Sequence, residues 1–478
     1  MYKRNYIRQM LEQFSAEEQD RIAIKLYDGQ RIAETSYREL AEKILHAANY
    51  FKRNGYCGQH IALLGENSQE WIVTFLAIAA SGNVVVPLNP AMPKENVLSQ
   101  CAQADVSVIC GDSRDISAFA EGYPCIPYDL LRDQIPMQLE DIVCPGLDAL
   151  TMLLFTSGTT GKSKAVEITY GNMESSLKSA DGIFAEPGIS SIMAALPLFH
   201  IAGIRGALAM LFRFKTLCIG RGMIYLFRDM PVLMPDYISL VPLMVSSLIK
   251  IMKKTSAADL QEKYIGANLK RICVGGATVD PDSCRYLMEH GFTVDSGYAL
   301  SETTGVGTWG KWDENHFNTI GRPSDELQCR IVDGELQIKG PAVMKGYYKD
   351  PEATKMAIQD GWLHTGDLVF CDEDGYYYLS GRKKNVIVMS NGEKLNPEEV
   401  EKQFENCDAI EECLIGYHDQ DNILYMEVYT NNKEAVQKDI ERYNERMPLS
   451  YQIHRMIYRE KPFERTASGK LIRKECGQ

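Results

Sequence analysis

Hydrophobic and polar residues follow two different periods along this chain, and these periods predict helices and strands in alternation. From Tyr37 to Arg53 the apolar residues recur every three or four positions, and Thr35-Ser36 precedes them as a capping signal. Mainly apolar runs predict a buried helix at Trp71–Ala80 and buried strands at His60–Leu64, Val84–Pro90 and Ser107–Cys110. Strands that alternate with helices at this spacing predict a parallel sheet covered on both faces.

A loop rich in glycine and hydroxyl side chains lies between two further predicted strands, Thr151–Phe155 and Ala165–Ile168. The segment Thr156–Lys164 contains two glycines, five hydroxyl side chains and two lysines. Glycines let the backbone approach a ligand, N–H groups and hydroxyls donate to anionic oxygens, and lysines supply counter-charge. This composition predicts a polyphosphate-binding loop.

Two alternatives compete with that interpretation of the loop. Gly161-Lys162-Ser163 matches the end of a Walker P-loop, but that motif needs a glycine where Thr156 stands. It also needs a helix after the lysine, where this chain has a strand pattern. The other alternative is a solvated Ser/Thr/Gly loop that binds nothing.

Length and charge limit the possible classes of protein. At 478 residues the chain is too long for one ordinary core, so two or more domains are expected. Hydrophobic residues make up 45% and charged residues 24%, as in soluble globular proteins. The formal charge of −13 argues against nucleic-acid binding and against a general affinity for anionic membranes, because no basic stripe is available.

The pattern also predicts a cytoplasmic protein. The N-terminal residues lead into an amphipathic segment and not into the apolar core of a signal peptide. The longest apolar run, Trp71–Ala80, is too short to span a bilayer, so no transmembrane segment is expected. The 13 cysteines are scattered singly, without a Cys-x-x-Cys pair, which indicates free thiols in a reducing compartment.

The segment Thr156–Lys164 resembles the phosphate-binding signature of the adenylate-forming superfamily, which includes acyl-CoA synthetases, peptide-synthetase adenylation domains and luciferases. It departs from the usual pattern at Ser163, Ala165 and Tyr170, and none of these changes removes a phosphate-contacting group. Further motifs follow in the expected order over residues 35 to 474, most similar in pattern to fatty acyl-CoA synthetases.

The resemblance implies an α/β fold with two unequal domains. A large N-terminal domain of layered sheets covered by helices is expected over residues 1–381, where it would bind ATP and the acyl group. A hinge is expected at 382–384, with Lys384 as its pivot, followed by a small mobile α+β domain over 385–478.

The resemblance also assigns roles to individual residues. ATP phosphates are expected on Thr156, Ser157, Gly158, Thr159, Thr160, Lys162, Lys164 and Ser301. The nucleoside is expected on Gly276, Ala277, Tyr298, Asp367 and Arg382, with Tyr298 stacked on adenine and Asp367 accepting from the ribose hydroxyls. Glu302 is expected to hold Mg²⁺, Gly392 to let a thiol arm pass, and Lys470 to be the catalytic lysine.

His200 bears on the nature of the substrate. The pair Phe199-His200 resembles an aromatic–His pair that borders the acyl pocket in this superfamily. Members that activate amino acids usually carry an Asp beside the aromatic residue, and a neutral histidine cannot pair an ammonium group. A carboxylic acid without an α-amine is therefore expected, fatty rather than aromatic.

The expected activity is formation of an acyl-adenylate from ATP and this acid, followed by transfer to the thiol of coenzyme A. The carboxylate nucleophile is already an anion, so the reaction needs positioning and charge neutralisation rather than a general base. The alternatives are an enzyme that loads a pantetheine arm on an acyl carrier protein, an aryl-CoA ligase, and a non-catalytic nucleotide sensor. Oligomeric state, pathway and chain length of the acid are not indicated by the sequence.

Overall fold

The computed structural model describes residues 5–16, 20–132, 135–156, 163–179, 188–276, 280–389, 393–404, 407, 409–418, 421, 423–464, 471 and 473. The α-helices in these ranges are Tyr6–Phe14, Tyr37–Arg53, Gln69–Ala80, Lys94–Gln103, Ser113–Ile116, Tyr170–Lys178, Ile201–Phe212, Leu226–Leu233, Pro242–Met252, Ala257–Leu260, Pro281–Glu289, Pro351–Ala357, Pro397–Lys402 and Lys433–Asn444.

In chain order, the strands up to residue 323 are β1 (Ile22–Tyr27), β2 (Ile32–Ser36), β3 (His60–Leu64), β4 (Val84–Leu88), β5 (Val106–Gly111), β6 (Cys125–Pro127), β7 (Leu150–Thr156), β8 (Lys164–Thr169), β9 (Ser191–Met193), β10 (Thr216–Ile219), β11 (Tyr237–Leu240), β12 (Arg271–Gly275), β13 (Thr293–Ala299), β14 (Gly307–Lys311) and β15 (Arg322–Pro323). They are followed by β16 (Gln328–Val332), β17 (Glu335–Lys339), β18 (Gly346–Tyr347), β19 (Ile358–Gln359), β20 (Trp362–Cys371), β21 (Tyr377–Arg382), β22 (Ile387–Val388), β23 (Lys394–Leu395), β24 (Glu412–His418), β25 (Ile423–Tyr429) and β26 (Ile453–Arg459).

The predicted elements are confirmed with small shifts at their ends. The helix Tyr37–Arg53 begins and ends where predicted, and Ser36 and Glu39 form a reciprocal capping box at its start. The buried helix begins two residues earlier than predicted, at Gln69, because the Ser68 side chain accepts from the Trp71 N–H. Lys164–Thr169 is a strand after the predicted phosphate-binding segment, where a Walker motif would need a helix.

Two large sheets build the N-terminal domain. In the described residues one sheet has the order β18-β8-β7-β4-β3-β5-β6, and its strands from β7 to β6 run parallel. The other has the order β15-β14-β13-β12-β11-β9-β10-β1-β2. The largest core joins the two sheets, since it contains Ile61 and Met152 of the first and Ile24 and Leu217 of the second. Helices fill the layer between the sheets, as the alternating pattern predicts.

A third sheet leads to the small domain. Strands β16, β17, β20, β19 and β21 pair antiparallel, and β21 ends at Arg382. Beyond it, β24, β25 and β26 form a small sheet with its own core, which includes Met426 and Val436. The predicted α/β fold, with a large N-terminal domain and a small C-terminal domain, is confirmed. No helix within the described ranges is both long and apolar enough to cross a bilayer.

Candidate active site

A cavity of about 1090 Å³ opens at the carboxyl ends of the parallel strands β11, β12 and β13. This is the usual place for ligands in such sheets, because successive strands end there in loops of variable sequence. The lining includes Val241 after β11, Gly276 after β12 and Leu300 after β13. Gly276 has a φ of +83°, a left-handed conformation that favours glycine and brings the backbone to the cavity wall.

A tyrosine, a carboxylate and an arginine meet on one side of this cavity. The Tyr298 hydroxyl donates to Asp367 Oδ2 at 2.6 Å, and Arg382 Nε lies 2.6 Å from Asp367 Oδ1. Tyr298 and Arg382 line the cavity, whereas the Asp367 side chain is 3% exposed and lies behind them. Burial and the Asp367 charge raise the pKa of Tyr298 well above its usual value, so the tyrosine remains a donor.

The turn that carries Asp367 is held by a second carboxylate that the sequence patterns did not single out. Glu335 on β17 accepts from the Gly366 N–H at 2.9 Å and from Lys383 Nζ at 2.8 Å. Thr365 donates to the Leu336 carbonyl at 2.6 Å. Because Glu335 bonds both the turn and Lys383, the residue after Arg382, it couples the position of Asp367 to the end of β21.

The predicted phosphate-binding loop begins and ends at the same cavity. Thr156 and Lys164 are opposite partners in the β7–β8 ladder, and both line the cavity. Ser157, Gly158, Thr159, Thr160 and Lys162 lie outside the described residues. The two described ends of the segment therefore lie at the cavity, where the prediction requires them.

Glu302 and Tyr347 lie at this same end. Glu302 lines the cavity next to Ser301, and its carboxylate accepts from the Tyr347 hydroxyl at 2.8 Å. Its backbone carbonyl accepts from the Met344 N–H at 2.8 Å, so both ends of the residue are held. Lys164 Nζ lies 4.8 Å from the centre of the Tyr347 ring. No pattern in the sequence singled out Tyr347, so it is a residue of the candidate site that the sequence analysis missed.

The donor set at Glu302 suits a hard cation shared with a polyphosphate. No cluster of three or more His, Cys, Asp or Glu side chains that could hold a metal was found within the described ranges. Mg²⁺ usually takes only one or two protein carboxylates and completes its shell with phosphate oxygens and water. One fixed carboxylate beside a lysine fits that requirement.

Tyr347→Phe tests whether the hydroxyl positions Glu302. We expect kcat/KM for Mg·ATP to fall about tenfold, since one hydrogen bond to a charged group is lost. The fold should persist, because the Tyr347 N–H still donates to Thr354 Oγ1 at 2.9 Å. Titration of Mg²⁺ at fixed ATP should show a raised half-saturating concentration.

Tyr348→Phe is the matched control, because the neighbouring hydroxyl donates to Asp105 Oδ2 at 2.7 Å. Asp105 does not line the cavity. If the two variants lose activity equally, Tyr347 has no special role at Glu302.

A different set of residues forms the far part of the cavity. His200 precedes the helix Ile201–Phe212, lines the cavity, and places its ring 5.8 Å from that of Phe199. Apolar residues dominate this wall, and they are Leu196, Pro197, Ile201, Leu240, Val241, Leu243 and Met244. Polar groups also reach it, since Arg205, Tyr237 and Cys273 line the same space.

Polar contacts surround the predicted hinge and the end of β21. Lys384 lies in the turn Lys383–Asn385, and burial together with the Arg382 charge lowers its pKa. The Asn396 amide donates to the Ser380 carbonyl, and Lys402 Nζ donates to the Leu379 carbonyl at 3.4 Å. Arg473 pairs with Glu401 and lies 3.6 Å from Glu398. Burial raises the pKa of Glu401 to about 7, although Arg473 opposes the shift.

Most of the described site residues come together around one space. The residues predicted from sequence that line the cavity are Thr156, Lys164, His200, Gly276, Tyr298, Ser301, Glu302 and Arg382. Asp367 stands behind Tyr298 and Arg382, and Lys384 lies in the turn after Arg382. Ala277, Gly392 and Lys470 lie outside the described residues, as do the inner residues of the phosphate-binding loop.

Comparison with known proteins matches nearly the whole chain. A family profile described as AMP-binding enzyme matches residues 11–348, and one described as AMP-binding enzyme C-terminal domain matches residues 384–478. The chain is 26% identical to the 2-succinylbenzoate–CoA ligase of Bacillus cereus over 481 positions, which cover 96% of this chain and 95% of that protein.

Solved structures give the same fold. The o-succinylbenzoate CoA synthetase of Bacillus subtilis, in complex with its acyl-adenylate intermediate, has a TM-score of 0.86 at 24% identity and 98% coverage of both chains. ATP-bound MatB from Rhodopseudomonas palustris has a TM-score of 0.84 at 21% identity, covering 98% of this chain and 97% of that one.

Proposed function

The chain belongs to the AMP-binding enzyme family, the adenylate-forming superfamily, and we propose that it activates an aromatic carboxylic acid with ATP and transfers the acyl group to coenzyme A. The observation that carries the proposal is the single cavity that joins three regions. Tyr298 and Arg382 line the region proposed for the nucleoside, Lys164 and Glu302 line the region proposed for the phosphates, and His200 lines the region proposed for the acid.

Each region supplies one requirement of the reaction. A carboxylate oxygen of the acid forms a bond to the α-phosphorus of ATP, and the bond from that phosphorus to pyrophosphate breaks. Tyr298, Arg382 and Asp367 orient the nucleoside, while Lys164 neutralises charge on the departing phosphates. Mg²⁺, when bound through Glu302, supplies further neutralisation of the triphosphate. The thiol sulfur then bonds to the acyl carbonyl carbon, AMP leaves, and the thiol proton passes to solvent.

The domain division supports a two-step cycle. We place the hinge at 382–384, between the domains 1–381 and 385–478, and we assign the catalytic lysine of adenylation to Lys470 of the small domain. Lys384 is the proposed pivot, and Gly392 the proposed passage for the thiol arm. A lysine in one domain that serves phosphates in the other makes the site complete only when the domains close.

An aromatic acid is a better proposal than the fatty acid expected from the sequence. The relatives that match over almost the full length are 2-succinylbenzoate–CoA ligases, which act on an aryl keto acid. Coenzyme A is also a better acceptor than a carrier protein, because these relatives are CoA ligases. Fatty-acid metabolism and carrier loading have no comparable support.

Pyrophosphate release tests the proposal directly. The enzyme, ATP and Mg²⁺ are mixed with 2-succinylbenzoate, benzoate, decanoate, palmitate or an amino acid, with and without coenzyme A. We expect the aromatic keto acid to give the highest kcat/KM and mass spectrometry to detect its coenzyme A thioester. A preference for palmitate would restore the fatty-acid interpretation. Thioester formation on a holo-carrier protein but not on coenzyme A would contradict the proposed acceptor.

A further inference from the structure

Arg205 is a cation in the cavity wall without a carboxylate partner among the described residues. It lies five residues after His200 in the helix Ile201–Phe212. Its Nε is buried and has no hydrogen-bond partner in the described part of the chain, and its Nη2 reaches only Ser179 Oγ, at 3.4 Å. A guanidinium that loses water without gaining an anion is unfavourable, so this group is prepared to accept one.

The stem of Arg205 is held in place by its neighbours. Gly305 has a φ of +73°, and a Cβ at that position would lie 2.9 Å from Arg205 Cδ and 3.2 Å from Ile201 Cγ1. The backbone of Gly305 therefore packs directly on the side chain, in a conformation and a space that suit only glycine. Arg205 is a fixed part of the wall, which reduces the conformational entropy lost when a ligand binds.

The electrostatic surroundings also favour an anion at this point. Burial lowers the pKa of Arg205 to about 10, and the second cation Arg213 acts in the same direction. Tyr237 and Cys273, which line the cavity with Arg205, are neutral, since burial raises the pKa of both groups. A ligand carboxylate would therefore meet positive charge and neutral hydrogen-bonding groups here.

The position of Arg205 along the cavity assigns it to the tail of the acid. At 1.5 Å per residue it stands about 7.5 Å along the helix axis from His200. Strand β11 indicates the same direction, from the nucleotide residues into the domain. It begins at Tyr237, and Val241 follows its end about 13 Å away, at 3.3 Å per residue. Gly276 and Val241 mark the edge near the nucleotide residues, so Tyr237 and Arg205 lie deeper in the domain.

We propose that Arg205 binds a second carboxylate on the tail of the acid, so that the enzyme selects dicarboxylic acids over their mono-carboxylic analogues. This rests on the proposed acid-activating function and differs from the fatty acid expected from the sequence, whose tail would carry no charge. A bidentate pair of guanidinium with carboxylate is the strongest contact this wall offers. The acid 2-succinylbenzoate has this chemistry, with one carboxylate to activate and another on its ring.

A matched pair of acids tests the inference. The probes are 2-succinylbenzoate and 3-benzoylpropionate, which is the same keto acid without the ring carboxylate. With the wild-type enzyme we expect kcat/KM in pyrophosphate release to be at least tenfold higher for the dicarboxylic acid, since a hydrogen-bonded charge pair is formed.

Two variants and a control assign the preference to one side chain. Arg205→Leu should lose at least tenfold more kcat/KM on 2-succinylbenzoate than on 3-benzoylpropionate, with the change mainly in KM. Arg205→Lys should retain part of the preference, because it keeps the charge but not the bidentate geometry. Arg228→Leu removes an arginine of the exposed surface that is not among the cavity-lining residues, and it should leave the ratio unchanged.

The outcomes separate this inference from the proposed function. If neither acid, nor any other acid of the panel, supports pyrophosphate release, the proposed function fails. If the wild-type enzyme activates both acids equally, the proposed function stands and the inference is wrong. An equal loss on both acids in Arg205→Leu, with thermal stability unchanged, would also overturn it.

Discussion

Lys470→Ala is expected to slow acyl-adenylate formation about 10²–10³-fold, the scale for loss of one preorganised group that stabilises charge. The role of Lys470 is a proposal from the resemblance, because this residue lies outside the described ranges. Without the lysine, the negative carboxylate approaches the α-phosphate with less compensating charge. The second half-reaction should be spared, since the thiol attacks an acyl-adenylate that has already lost its pyrophosphate.

Separate assays of the two half-reactions measure this effect. Acid-dependent exchange of labelled pyrophosphate into ATP reports adenylation, and formation of the thioester from synthetic acyl-adenylate and coenzyme A reports the transfer. Lys461→Ala is the control, because Lys461 is exposed and belongs to the same C-terminal segment. Equal losses in both half-reactions would contradict a role confined to adenylation.

The fold was predictable because the sequence carries strong local signals. Fully buried strands such as His60–Leu64 appear as short apolar runs, and the capping box at Ser36 marks the start of its helix within one residue. The family assignment from the segment Thr156–Lys164 is confirmed, since the AMP-binding profile covers most of the chain. These signals arise from residues that are neighbours in the chain, so they can be recognised in a single sequence.

Glu335, Tyr347 and Arg205 were missed because their importance comes from tertiary contacts. In the sequence, Glu335 is one position of an alternating strand pattern, but in the structure its carboxylate accepts from the Gly366 N–H, 31 residues later in the chain. Tyr347 reaches Glu302 across 45 residues. Arg205 follows His200 on an apolar helix, and only the packing of Gly305 and the lining of the cavity show that it is a fixed part of the cavity wall. Because the sequence does not display these contacts, it predicted a fatty acid and gave no indication of a cation in the wall of the acyl pocket.

Asp367→Asn should lower kcat/KM for ATP about 10²-fold, because the contacts of Arg382 and Tyr298 both lose the negative charge of the carboxylate. The change leaves Arg382 without its 2.6 Å partner and weakens the bond from the Tyr298 hydroxyl, also 2.6 Å. A charge left unpaired in a buried site is costly, so some thermal stability should be lost as well. Asp372→Asn is the control, since Asp372 follows the same strand and accepts from the Tyr378 hydroxyl at 2.9 Å.

The same variant decides between two roles for Asp367, because its carboxylate lies behind the two side chains that line the cavity. If it accepts from the ribose as proposed, ATP analogues without the 2′- or 3′-hydroxyl should lose about tenfold with the wild-type enzyme and much less with Asp367→Asn. A smaller loss in the variant means that the two changes are not additive, which requires direct contact between the carboxylate and the ribose. To make that contact, the carboxylate exchanges one of its protein donors for a ribose hydroxyl. Losses that simply add would instead make Asp367 a positioning residue, which acts on the nucleoside only through Tyr298 and Arg382.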